Sequence, residues 1–306
     1  MTDVIVIGDP GDPSLARLEA ARDVARFVVG QDALALVRQA PEAEVLLYCH
    51  GGRGPFEMAY HRMPRLRWVH SRWAGLDGLM FPALTLNDDV PLTNSKGVFS
   101  RALAEFAIGA ILYFAKDFAR MRRQQAARRW EPFLVEEVHR LSLGILGFGD
   151  IGHAIAQRAE ALGMQVLPMR RGERHLEQVA RCDYVALALP LTDATRGLFG
   201  AAEIAALKPN AVLINVGRGP TVDEPALVAA LQAGRVRGAA LDVFAVEPLP
   251  AESALWGLDN VLLSPHTADR TTIWLDEAME LFLENLRRFG AGEPLLNVVA
   301  DKRRGY

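Results

Sequence analysis

The 306-residue chain is half hydrophobic and 23% charged, with a formal net charge of -3. That balance suits about two α/β domains and excludes a general attraction for nucleic acid or an anionic bilayer. Cys49 and Cys182 both fall inside strand-like apolar segments, which fits buried, unpaired thiols in a reducing compartment better than a disulfide scaffold. Met1 leads into Val4-Ile5-Val6-Ile7 without a basic leader, and no apolar run is long enough to span a bilayer. No metal-binding cluster is visible. A cytoplasmic protein without membrane or nucleic-acid partners is expected.

Residues 1 to about 97 alternate short apolar runs with helical patterns. Val4 to Ile7, Phe27 to Val29, Val45 to Tyr48, Trp68 to Val69 and Ala83 to Leu86 read as strands, and Leu15 to Ala21 and Ala33 to Arg38 as helices. Such alternation predicts a mostly parallel sheet covered on both faces, with ligands gathering beyond the carboxyl ends of its strands. The turns Tyr48 to Pro55 and Ser71 to Asp77 fall there. His50, Arg53, Arg72 and Trp73, with Trp256 and Trp274 from later segments, are candidate pocket residues, and a cationic Arg53 or Arg72 hints at a second anionic group on the ligand. A surface charge is the plainer alternative for both.

From Ser100, a plausible N-cap, an apolar helical pattern runs to Lys116. It predicts a helix buried between domains or subunits. The basic residues Arg120, Arg122, Arg123, Arg128 and Arg129 read as a solvated face in an acidic chain, and the polar residues from Glu131 to Arg140 as a surface arm.

The stretch Leu141 to Met169 carries the strongest signal. An apolar strand runs into Gly147-Phe148-Gly149-Asp150-Ile151-Gly152, and Ile151, Ile155, Ala159 and Leu162 then recur at helical spacing before a second strand. In that context the glycines are a dinucleotide fingerprint. Gly147 makes the turn, Gly149 admits the pyrophosphate, and Gly152 lets the helix pack closely, with the phosphate at the helix N-terminus.

The alternation then resumes. Strands are predicted at Tyr184 to Leu189, Ala211 to Val216, Ala239 to Val243 and Asn260 to Leu263, and helices at Ala201 to Leu207, Glu224 to Gln232 and Thr271 to Phe289. Arg218, Glu247 and His266 each follow a strand of this second doubly wound domain. Together they suit the reduction of a keto acid: a guanidinium fork for a carboxylate and a carbonyl oxygen, and an imidazole that passes a proton, oriented by a carboxylate.

The chain resembles the D-isomer-specific 2-hydroxyacid dehydrogenases, relatives of glyoxylate/hydroxypyruvate reductases and phosphoglycerate dehydrogenase. The resemblance is carried by Leu146 to Gly152, Ala188-Leu189-Pro190-Leu191-Thr192, Ile214 to Gly219, Leu241-Asp242-Val243-Phe244 with Glu247-Pro248, and Ser264-Pro265-His266-Thr267-Ala268. It implies two Rossmann-like domains with parallel sheets: a substrate domain of residues 1–97 completed by 271–306, and a dinucleotide-binding domain of residues 98–270. It implies that Arg218 holds the substrate, that His266 is the acid/base paired with Glu247, and that the Ala74 and Gly75 amides meet the substrate carboxylate. It places Gly147, Gly149, Asp150, Ile151, Gly152, Pro190, Thr195, Val216, Gly217 and Asp242 on the cofactor, Asp242 at the nicotinamide amide. A homodimer is implied too, with the helix after Ser100 and the Trp130 arm as candidate contacts.

One departure concerns the cofactor. Where an NAD-binding chain usually carries an acidic residue for the ribose, this one has Arg170 followed by Arg171. Two arginines suit a 2′-phosphate, so NADP is preferred over NAD. The segment Gly172 to Leu176 is also shorter than in most relatives. The resulting expectation is hydride transfer between NAD(P)H and a small 2-keto acid. The alternatives are a non-enzymatic NAD(P)-sensing, corepressor-like protein and a formate- or phosphite-type dehydrogenase.

Overall fold

The computed structural model describes residues 1–169 and 175–303. Arg170 and Arg171, the residues read as a 2′-phosphate site, lie outside them. The chain divides into two compact units, Met1–Phe99 with Thr272–Tyr306, and Ser100–Thr271.

In the first unit, strands β1 (Thr2–Ile7), β2 (Ala25–Gly30), β3 (Val45–Tyr48), β4 (Trp68–Ser71) and β5 (Leu92–Asn94) form a parallel sheet of order β2-β1-β3-β4-β5. A 3-10 helix (Pro13–Ala21), α1 (Ala33–Gln39), α2 (Arg53–Arg62) and α3 (Pro82–Thr85) connect them. Strand side chains alternate between faces, and both faces are buried. Ile5, Ile7, Leu46 and Val69 pack with Leu36 and Phe56 on one side, while Val4, Val6, Val45, Leu47 and Trp68 pack with Leu15 and Leu18 on the other.

Two local expectations change here. Ala83 to Leu86 is not a strand: Pro82 opens α3, its fixed φ suiting a first helical position, and the fifth strand is Leu92–Asn94. So short an apolar run carries too little periodicity to separate strand from helix. The Tyr48 to Pro55 turn ends sooner than expected. Gly51 and Gly52 make the reversal at φ 113° and 78°, and α2 begins at Arg53, because Pro55 sits in a first turn that needs no intrahelical N–H.

The second unit opens with α4 (Ser100–Ala115), which buries Leu103, Ala104, Ala107, Ala110, Ile111 and Phe114. Asp117, at φ 50°, breaks it, and its side chain caps α5 (Phe118–Ala126). No residue of α5 is buried, so the basic run is a solvated face. Then follow β6 (Ser142–Leu146), α6 (Asp150–Ala161), β7 (Gln165–Met169), α7 (His175–Val179), β8 (Tyr184–Leu187), α8 (Ala201–Ala206), β9 (Val212–Asn215), α9 (Glu224–Gln232), β10 (Gly238–Leu241) and β11 (Val261–Leu263). All pair in parallel, in the order β11-β10-β9-β8-β6-β7. The order reverses between β6 and β8, where a doubly wound sheet opens its ligand crevice.

Finally α10 (Trp274–Ala291) returns to the first unit. Its Phe282 stacks on Trp68 with centroids 5.3 Å apart, and Met279 and Leu286 join the same core. Val298 bridges Thr93 of β5 in antiparallel fashion.

Candidate active site

The glycine turn follows β6 at the reversal point. Gly147 has φ 98°, and a Cβ there would stand 2.7 Å from the Ala188 carbonyl oxygen after β8. A Cβ at Gly152 would meet the Gly147 oxygen at 2.3 Å. Only glycine fits either position. Gly149 differs, because a Cβ there would meet nothing within 4 Å. It is the N-cap of α6 and makes no side-chain cap bond to the first-turn amides. An open space above an uncapped helix start suits an anion, so the turn fits the pyrophosphate of a dinucleotide. Asp150 and Ile151 open that helix.

Pro190 and Thr195 lie in the loop after β8. The Thr195 hydroxyl donates to the Pro190 carbonyl at 2.6 Å and accepts from the Thr192 amide at 2.8 Å, which knits the loop and leaves Pro190 exposed. After β9, Val216 and Gly217 are buried. Asn215 shapes this turn: its Oδ1 accepts from the Gly217 amide at 3.0 Å and its Nδ2 donates to the Arg218 carbonyl at 3.1 Å. Thr221 Oγ1 also donates to that carbonyl, at 2.6 Å. The Arg218 backbone is thus held by two side chains, and one guanidinium nitrogen donates to the Gly217 carbonyl at 2.8 Å.

Glu247 and His266 form a pair at 2.7 Å between Oε2 and Nδ1. The other carboxylate oxygen accepts from the Phe244 amide at 2.9 Å, so the carboxylate is anchored before it meets the ring. This assigns Nδ1 to Glu247 and leaves Nε2 as the nitrogen for proton exchange. His266 itself has φ 50°, a left-handed conformation uncommon for a side-chain-bearing residue.

The loop holding that conformation hangs on Asp242, which is 1% exposed. Its Oδ1 accepts from Ser264 Oγ at 2.5 Å, the Thr267 amide at 2.9 Å and the Ala268 amide at 3.0 Å, while its backbone carbonyl accepts from the His266 amide at 2.9 Å. Oδ2 makes no hydrogen bond among the described residues, which suits it to a carboxamide N–H. Nearby Asp269 has its carboxyl raised above the usual range by burial, against the pull of His266.

In the first unit, Trp73, Ala74 and Gly75 follow β4. The Trp73 indole N–H donates to the Cys49 carbonyl at 2.8 Å, and Asn94 Nδ2 donates to the Ala74 carbonyl at 2.8 Å. The amides of Ala74 and Gly75 make no hydrogen bond among the described residues. Both candidate cations nearby already face a carboxylate of the chain. Arg72 is 3% exposed, donates to Asp12 at 2.5 Å and to Ser14 Oγ at 2.8 Å, and Arg53 pairs with Glu57 at 2.9 Å on α2. Trp274 lies with its ring centroid 5.4 Å from that of Trp73. Trp256 is 56% exposed and donates to the Pro250 carbonyl.

Sequence reasoning passed over Asn215 and Ser264. A polar residue ending the apolar run Val212 to Ile214 was the available signal for the first. Nothing in the spacing links Ser264 to Asp242 twenty-two positions away.

The family model for the D-isomer specific 2-hydroxyacid dehydrogenase, NAD binding domain, matches residues 108–268. A glyoxylate/hydroxypyruvate reductase B of Shigella boydii is 36% identical over 229 residues, 69% of this chain and 70% of its own. A glyoxylate reductase of Thermococcus gammatolerans is 35% identical over 274 residues, 81% of each chain. The crystal structure of a D-isomer specific 2-hydroxyacid dehydrogenase from Xanthobacter autotrophicus, in complex with NADPH and MES, aligns over 100% of this chain and 99% of its own. Its TM-score is 0.85 and its identity 34%. An NADPH-dependent glyoxylate/hydroxypyruvate reductase from Sinorhizobium meliloti, in complex with NADP and malonate, aligns over 100% and 98% with TM-score 0.80 and 28% identity.

Proposed function

The chain belongs to the D-isomer specific 2-hydroxyacid dehydrogenase family, and from that premise we propose that it reduces glyoxylate, hydroxypyruvate or a similarly small 2-keto acid, with NADPH preferred over NADH. The observation that carries this reading is the Glu247–His266 pair at 2.7 Å, formed between the segment after β10, which also carries Asp242, and the segment after β11, with Arg218 following the adjacent β9. The names of the relatives favour a reductase over a nucleotide sensor or a formate- or phosphite-type enzyme.

A bound nicotinamide supplies the hydride. The remaining work falls to this chain. Arg218 holds the substrate carboxylate and polarises its carbonyl oxygen as charge develops there. His266 delivers the proton from Nε2, and in the oxidative direction accepts it. Glu247 fixes the tautomer. Gly147, Gly149, Asp150, Ile151 and Gly152 take the pyrophosphate, Pro190, Thr195, Val216 and Gly217 line the cofactor, and Asp242 Oδ2 accepts from the carboxamide. The second unit is on this reading the dinucleotide-binding domain. The first is the substrate domain, whose Ala74 and Gly75 amides take a carboxylate. Arg170 and Arg171 are assigned to the 2′-phosphate on charge alone.

The chain also acts as a homodimer in this proposal. Trp130 is 95% and Leu134 99% exposed on one arm, a cost in water that a second copy would remove. The two buried, unpaired thiols fit the cytosol.

Initial rates of NADPH and NADH oxidation with glyoxylate, hydroxypyruvate and pyruvate test the reading. Faster turnover with NADPH on at least one acid is expected. Cofactor binding without oxidation on any of them refutes the reductase assignment.

A further inference from the structure

Asp242 carries more hydrogen bonds to the His266 loop than a cofactor ligand needs. Its Oδ1 accepts three: one from the Ser264 hydroxyl and two from the amides of Thr267 and Ala268, the residues just past the histidine. Both Asp242 and Ser264 are buried, at 1% and 8% exposure, so these bonds are sheltered from water and each lost partner costs full desolvation. His266 lies between the Ser264 and Thr267 anchors, with φ 50°. A strained backbone of this kind persists only where its surroundings over-determine it.

We propose that Ser264 is a positioning residue for the reaction: by holding the Asp242 carboxylate in one rotamer it braces the His266 loop, and thereby the His266–Glu247 pair. Among the described residues the Ser264 hydroxyl is the one side-chain donor on Oδ1, and at 2.5 Å its bond is the shortest of the three. Without it only the two loop amides hold Oδ1, the carboxylate gains freedom about its last bond, and the aim of Nε2 loosens with the loop. The same rotamer leaves Oδ2 for the carboxamide that a bound nicotinamide would bring, so that one side chain would couple cofactor occupancy to histidine orientation. This rests on the reductase reading given above.

The test compares the buried Ser264–Asp242 contact with a part-buried serine–aspartate contact in the same unit. Ser142 Oγ lies 2.7 Å from Asp183 Oδ2 and 2.8 Å from the Arg181 carbonyl oxygen, the two acceptors open to its single proton, at the opposite end of β6 from the glycine turn. Ser264→Ala is expected to lower kcat by roughly tenfold to a hundredfold, the scale of a small misplacement of a reacting group, with the KM for the keto acid little changed. Ser142→Ala is expected to leave kcat unchanged at a similar loss of thermal stability. A second readout needs neither substrate nor cofactor. In the proton NMR spectrum of the free protein the downfield His266 Nδ1–H signal, assigned by its loss in His266→Gln, should broaden or vanish in Ser264→Ala and persist in Ser142→Ala. Equal losses of kcat in the two alanine variants, or an intact Nδ1–H signal in Ser264→Ala, overturn the proposal. If the wild-type protein reduces none of the acids, the reductase reading fails while the NMR comparison still decides the brace.

Discussion

His70 offers a direct measure of how strongly the first unit is closed to water. It is fully buried on β4, its ring 5.9 Å from that of Trp68 and 5.3 Å from that of Phe282; Nδ1 and Thr93 Oγ1 share a hydrogen bond at 2.7 Å, and Nε2 has no partner among the described residues. Burial pushes its pKa down from 6.5 to about 3, so the native imidazole stays neutral while the unfolded one takes a proton. The native value is depressed, so the stability it contributes is whole above pH 6.5 and is lost as the pH falls toward 3. Each pH unit in that window costs about 1.4 kcal/mol. Between pH 7 and pH 5 the loss is about 2 kcal/mol, and the figure barely changes for any native value below about 4. His70→Asn retains a polar atom near the Nδ1 position and removes the titration. Urea unfolding at the two pH values, followed by hydrogen exchange of the peptide spanning Trp68–Ser71, should show the wild type losing about 2 kcal/mol more than the variant. Equal losses would mean that the ring is hydrated or protonated in the native state, and would refute the reasoning.

Glu247→Gln should cut kcat by roughly a hundredfold, within the range of general acid–base assistance, while NADPH affinity measured by fluorescence titration stays near wild type; an unchanged kcat would remove Glu247 from the mechanism. Gly147→Ala forces a side chain onto φ 98° and into the Ala188 carbonyl, so a fall of at least about 2 kcal/mol in unfolding free energy is expected, together with weakened cofactor binding. Asp12→Ala leaves the buried Arg72 guanidinium unpaired and should destabilise the first unit by about 3–5 kcal/mol in a denaturant titration. If the proposed homodimer forms through this arm, light scattering should find a dimer for the wild type and a monomer for Trp130→Ser combined with Leu134→Ser; a wild-type protein already monomeric at micromolar concentration would refute the proposal.

Much of this was legible because its carriers are local. The strand–glycine–helix signature needs only a short window, and Gly147 and Gly152 prove to be positions that no Cβ can enter. The helix Glu224–Gln232 agrees with its pattern to the residue, since its Pro225 and its Asp223 cap mark the start in the sequence itself. What escaped the sequence was set by distant partners. Arg72 looked like an available cation until Asp12 was seen beside it. Asp242 looked like a cofactor ligand alone because its loop partners lie on the following strand's exit. The short α3 and β5 carry too few residues to show a period, and only sheet pairing decides them.

The return of α10 to the first unit makes the second unit an insertion, with consequences for synthesis. The Val4, Val6, Val45, Leu47 and Trp68 face, which Leu15 and Leu18 cover in part, receives Met279, Phe282 and Leu286 only after the residues of the second unit have been synthesised. Ser100–Thr271, by contrast, holds all the strands of its own sheet in one uninterrupted segment. Ser100–Thr271 can therefore complete its sheet while the first unit still lacks the part of its cover that α10 supplies. Removal of the residues after Thr271 therefore strips cover from a sheet built entirely of residues before Phe99.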